Sequence, residues 1–173
     1  MQPPQNTVNT DARALMGTTL HELVGTSMHE TFGGMFGWPV ESAAPNVNLV
    51  IDRPVRSHVL LRESDQVCVD VVLDFDARLL SLAGAQIYPA DMQDTPEMYD
   101  DMAAEVANII AGGIKAYLNR SGHDLRMVEQ SKAAPAAEAN TPPAVDVSFH
   151  YDSGAHPKPP GIVVHVRLKD FPV

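Results

Sequence analysis

Four stretches of this chain alternate apolar and polar side chains with a period of two, and that repetition limits the possible folds most. Val55, Ser57, Val59 and Leu61 alternate with Arg56, His58, Leu60 and Arg62. Val67, Val69, Val71, Leu73 and Phe75 alternate with Cys68, Asp70, Val72, Asp74 and Asp76. Further on, Val145, Val147, Phe149 and Tyr151 are set against Asp146, Ser148, His150 and Asp152. Ile162, Val164, Val166 and Leu168 are then set against Val163, His165, Arg167 and Lys169. Successive strand side chains point to opposite faces, so each run presents one apolar face and one wetter face. One-faced strands are the habit of antiparallel sheets. Glu63-Ser64-Asp65-Gln66 reads as a hairpin loop, and the turn-rich SGAHPKPPG joins the last two runs into a hairpin with a long loop.

An apolar sheet face needs a cover, and helical patterns supply it. A first long helix is expected from Thr10 or Asp11, either of which can cap it. Its core stripe reads Met16, Leu20, Leu23, Val24, Ser27, Thr31 and Met35, and Gly33-Gly34, then Gly37 and Pro39, bring it to an end. Ala77 to Ile87 reads as a short helix closed by Tyr88-Pro89. Thr95 caps the next helix, with Pro96 at its first position. After Ser121-Gly122, Leu125 to Val128 forms a short strand. The expected fold is α+β, a two-layer α/β sandwich with long helices packed on a mostly antiparallel sheet. Residues 10–173 make one domain; 1–9 are polar and expected to be disordered, and the Ala/Pro-rich segment 131–144 is a flexible loop within the domain.

Composition narrows the partners. The chain has 173 residues, and its acidic side chains outnumber Lys and Arg by 22 to 12, for a formal charge of −10. That argues against nucleic acid or an anionic membrane, since both are polyanions. The single cysteine, Cys68, has no partner for an intramolecular disulfide, which suits a reducing compartment. No signal-peptide pattern opens the sequence and no apolar run reaches the ~20 residues of a membrane span, so the expectation is a soluble, cytoplasmic protein.

The chemistry is concentrated in Asp101 to Arg120. Met102, Val106, Ile109, Ile110, Gly113 and Tyr117 share the core side at the α period. The opposite side gathers Asp101, Ala104, Glu105, Asn108, Ala111, Gly112 and Lys115. An ordinary solvated face would carry several long polar side chains. Here Glu105 and Asn108 stand one turn apart among small residues that let a foreign surface approach closely. Gly in mid-helix costs up to about 1 kcal/mol relative to Ala, so Gly112-Gly113 calls for a packing or docking reason.

Glu105-Val106-Ala107-Asn108, followed by Ile109-Ile110-Ala111-Gly112-Gly113, resembles the E-x-x-N helix of the CheX and CheC chemotaxis phosphatases. Gly113 departs from that pattern, which commonly has Asn there. The resemblance covers most of residues 10–169. It implies the same sandwich fold, pairing as a homodimer, and removal of the phosphoryl group from the aspartate of a CheY-type response regulator. It also implies catalytic roles for Glu105 and Asn108, with Asp101, Ala104, Ala111, Gly112 and Lys115 docking the partner. No cofactor is expected of the chain itself, because the regulator supplies Mg2+. The first helix offers Glu22-Leu23-Val24-Gly25, with Gly25 where a second asparagine would be needed, so one site is expected, as in CheX. Two other readings share the fold: a non-catalytic module that binds a receiver domain, and an interaction protein of the flagellar-switch type.

The remaining candidates carry less. The seven histidines show no zinc-ligand spacing. His58 and His165 read as surface or half-buried strand residues. Asp70, Asp74 and Asp76 share one side of a strand with Cys68, a pattern that suits a solvated edge better than a Mg2+ site. The Gly pairs match no nucleotide-binding pattern.

Overall fold

Alternation in the strands and the α period in the helices segregate the chain into two layers. The structure, a computed structural model, describes residues 6–44, 49, 51–131, 143–152 and 158–169. Among these are three helices: α1 (Asn6–Phe36), α2 (Ala77–Ile87) and α3 (Pro96–Arg120). The strands are β1 (Glu41–Ser42), β2 (Pro54–Glu63), β3 (Gln66–Asp76), β4 (Leu125–Ser131), β5 (Val145–His150) and β6 (Gly161–Leu168). They form one sheet in the order β1-β5-β6-β3-β2-β4, and every pair is antiparallel. α3 lies over β2, β3 and β4, α1 over β5, and α2 over β3, with the helices also touching one another.

Register follows from the apolar rows. Val59 pairs with Val71 and Leu73 with Val164, so the residues expected inside meet across three strands. All four are fully buried, as are Val69, Phe75, Ile162 and Val166. On the helical side, Leu20, Val24, Met28 and Phe32 of α1 and Val106, Ile110 and Ile114 of α3 close the core.

Several expectations need correction. The helix α1 starts at Asn6, ahead of the expected cap at Thr10 or Asp11, so 6–9 are helical where disorder was expected. No Pro or Gly lies between Asn6 and Met16, and extending a formed helix is far easier than starting one. Its buried stripe runs through Met28, Phe32 and Phe36, while Met35 is exposed. Helix continues through Gly33-Gly34 and ends at Phe36, before Gly37 with φ 77°. Phe32 and Phe36 pack on Trp38, which lies against Tyr151, tilted, at 4.2 Å between ring centres. The two-residue β1 was too short to show periodicity. Residues 1–5 and 132–142 lie outside the described residues, and Ser131, expected in the loop, ends β4.

The wet side of the sheet also differs. Leu61 pairs with Val69 but Arg62 with Val67, so Cys68 is the extra residue of a β-bulge and joins the core instead of the aspartate row. Asp70 and Asp76 are completely buried, not a solvated edge. They lie on β3, with β6 and β2 on either side, and have partners there. His58, expected near the surface, is buried against Asp70, and Arg167 reaches Asp70 at 3.5 Å. Asp74 takes a bidentate bond from Arg56, 2.7 Å to each oxygen. Asp76 caps α2 and holds the Arg78 guanidinium. His165 is half-buried, as expected.

Candidate functional site

The sequence of α3 fixes both of its ends. Thr95 Oγ1 accepts a hydrogen bond from Met98 N–H at 3.2 Å, and Pro96 occupies the first turn, where a missing N–H costs nothing. At the far end the Asn119 amide donates to Leu125 C=O at 3.2 Å and accepts from Leu125 N–H at 2.8 Å, tying the helix to the start of β4. Gly122 leaves the helix at φ 105°, a conformation that favours glycine. Between these anchors Met102, Ala103, Val106, Ala107, Ile110, Ala111, Ile114 and Leu118 are buried. A side chain on the outer face is therefore carried by a rigid support.

That outer face holds the two motif residues. Glu105 is exposed and Asn108 half-buried, one turn apart. Among the described residues neither has a hydrogen-bond or ion-pair partner within the chain. Asp101 is exposed one turn before Glu105, and Ala104, Gly112 and Lys115 are half-buried around the pair. Asp101 and Glu105 make the face acidic, and among the described residues no cation is paired to them. A carboxylate and a carboxamide held this way can bind a cation and orient a small polar molecule together.

Two assignments on α3 change. Ala111, expected on the docking face, is fully buried, while Ile109, expected in the core, is 38% exposed. The helix is turned so that the row Ala103-Ala107-Ala111 faces inward, where small side chains allow close packing. A wheel weighted by large apolar residues is drawn toward Ile109 and places the core direction too far round. The two glycines also separate. A Cβ at Gly113 would lie 3.5 Å from Ser27 Oγ, so Gly113 sits where α3 meets α1. A Cβ at Gly112 would meet nothing within 4 Å.

On α1, Glu22 is exposed and Gly25 half-buried, and a Cβ at Gly25 would also meet nothing. Beside Gly25 a cleft of about 430 Å3 lies between α1 and β1, lined by Thr26, His29, Glu30 and Glu41 among others. It has no carboxamide at the position matching Asn108. Among the described residues no group of three or more His, Cys, Asp or Glu is placed to hold a metal ion. No helix among them is long and apolar enough to cross a membrane.

No protein-family model and no curated protein matches the sequence. Solved structures do match the fold. The chemotaxis protein CheX from Vibrio vulnificus superposes with a TM-score of 0.60 at 15% identity, covering 86% of this chain and 96% of that one. The CheX–CheY–BeF3–Mg2+ complex from Borrelia burgdorferi gives 0.59 at 20% identity, covering 84% and 96%. The FliM middle domain from Vibrio alginolyticus gives 0.50 at 14% identity, covering 88% and 93%. Three helices on a six-stranded antiparallel sheet, matched over most of their length by these structures, give this chain the CheX/CheC-like fold.

Proposed function

We propose that this protein is a CheX-like phosphatase that hydrolyses the phosphoaspartate of a CheY-type response regulator. The observation that carries the proposal is the pair Glu105 and Asn108, one turn apart on the outer face of α3, whose side chains have no hydrogen-bond or ion-pair partner among the described residues. The fold supports it, and so does the Borrelia structure, in which a CheX protein is in complex with CheY. The protein acts in the cytoplasm as a homodimer and brings no metal of its own, the Mg2+ belonging to the regulator.

A phosphoaspartate is an acyl phosphate and already prone to hydrolyse. Its transfer needs an in-line water and stabilised phosphoryl oxygens, with little covalent chemistry from a helper protein. The Asn108 carbonyl oxygen accepts a hydrogen bond from the water and points its lone pair at phosphorus. As the new P–O bond forms, the bond from phosphorus to the aspartyl oxygen breaks and its electron pair leaves with the carboxylate. A water proton passes to solvent or a phosphoryl oxygen, and the products are free aspartate and inorganic phosphate. Glu105 makes a charge-assisted bond to the regulator's active-site lysine and holds the two proteins in register.

The test is phosphate release from labelled regulator over a range of its concentrations. Asn108→Ala lowers kcat by roughly 100-fold, the size of other lost transition-state contacts, and leaves KM nearly unchanged. A variant with full kcat would remove the mechanism and leave a receiver-binding module.

A further inference from the structure

Ile109 is a large apolar side chain facing outward on α3, 38% exposed, directly after Asn108 and one turn beyond Glu105. Residues three and four apart on a helix have Cβ atoms about 5–6 Å from each other. Ile109 is four residues after Glu105, so a surface that touches Glu105 comes within reach of Ile109. Beside it, Gly112 is half-buried, and a Cβ there would meet nothing within 4 Å. Packing among the described residues gives no reason for a glycine at that position, and it weakens the helix. The acidic part of the face, Asp101 and Glu105, thus passes within a turn to an apolar side chain beside open backbone.

We propose that Ile109 is a specificity-determining residue for the phosphatase reaction, with Gly112 leaving room for the partner beside it. The inference rests on the proposed function and deepens it. The regulator that fits presents its lysine to Glu105 and an apolar side chain, on the rim of its phosphorylation site, to Ile109. The complementary charge at Asp101 and Glu105 orients the docking. The apolar contact discriminates among receivers, because a charged or strongly polar rim would be desolvated against Ile109 without a partner.

The probes are the CheY-type regulators of the same organism, purified, in their beryllofluoride forms for binding and phosphorylated with acetyl phosphate for turnover. Ile109→Ser raises Kd and KM roughly tenfold, with kcat within about twofold of the parent. Gly112→Gln raises KM by a similar factor while raising the melting temperature by roughly 2 °C, because it improves helix propensity in open space. Opposite signs in stability and docking are what a structural role would not produce. Leu15→Ser, a change at an exposed apolar residue of α1, leaves KM and kcat unchanged. Unchanged KM in Ile109→Ser, on a regulator that the parent dephosphorylates, overturns the inference and leaves the phosphatase standing. Gly112→Gln that weakens docking only together with a lower melting temperature also overturns it. A parent protein inert toward every regulator removes both.

Discussion

Replacing Asp70 with alanine tests the buried ion cluster on the sheet. Asp70 is 0% exposed and His58 1%, and Arg167, its cross-strand neighbour on β6, places Nη1 3.5 Å from Asp70 Oδ2. Asp70→Ala takes the carboxylate from both neighbours at once. Breaking a buried pair from one side costs about 3–5 kcal/mol, because the remaining group is desolvated without compensation. The Arg167 guanidinium cannot shed its charge. The Arg167 side chain keeps 17% of its surface exposed, which lets its head recover some water. The expected loss therefore falls at the low end, about 3 kcal/mol, out of a total stability of about 5–15 kcal/mol. Urea unfolding followed by fluorescence of Trp38, the single tryptophan, reads it directly, since that ring packs on Tyr151, Phe32 and Phe36. A second variant, His58→Leu with Asp70→Leu and Arg167→Met, replaces the cluster with apolar groups beside Leu60 and Val72 and recovers most of the loss. A loss below about 1 kcal/mol in Asp70→Ala, the range of exposed pairs, would refute the reasoning.

Glu105→Ala weakens binding to the beryllofluoride form of the regulator. Glu105→Lys weakens it further, because two ammonium groups then meet in a partly desolvated contact; equal affinities for the two variants would remove the lysine partner. Burial pushes the Asp76 carboxyl up, but the Arg78 guanidinium and the N–H groups of Arg78 and Asp52 outweigh it and hold the pKa below its ordinary 3.8. A depressed folded pKa means stability that is present above 3.8 and lost as pH falls through the folded value, so the advantage of the parent over Asp76→Asn shrinks in acid. Denaturant midpoints at neutral and strongly acidic pH check this, and a gap that does not narrow counts against it. The homodimer is checked by light scattering at micromolar concentration, where monomer alone argues against pairing.

The parts of the fold legible in the sequence are those in which one periodicity runs long enough to outweigh local noise. β2 and β3, ten and eleven residues long, carry alternation through most of their length in the sequence, and α3 announces its start through Thr95 and Pro96. β1, at two residues, has no period to read. Burial of Asp70 and His58 was hidden because alternation tells which side a residue faces but not how well its neighbours cover that side. The bulge at Cys68 breaks the alternation without changing the composition. In the proposed site, Glu105 and Asn108 stand out in the sequence as a pair because chemistry and spacing coincide there. The exposure of Ile109 was missed because its side chain belongs to the class expected inside. The signal that could have found it was the row Ala103-Ala107-Ala111, whose spacing of four marks a line of close contact.

The meeting of α1 and α3 at Gly113 and Ser27 has a consequence for how the proposed active face could drift in evolution. With no side chain at Gly113, the Ser27 hydroxyl lies near the α3 backbone, little more than one turn beyond Asn108. A bulkier residue at position 27 would act as a wedge, rolling α3 about its axis while the anchors at Thr95 and Asn119 hold its ends. Roll swings the Asn108 amide sideways without touching its chemistry. Under the proposed function, the setting of the reactive geometry would then be distributed across two helices, so that a change at residue 27 could retune turnover while both motif residues stay intact.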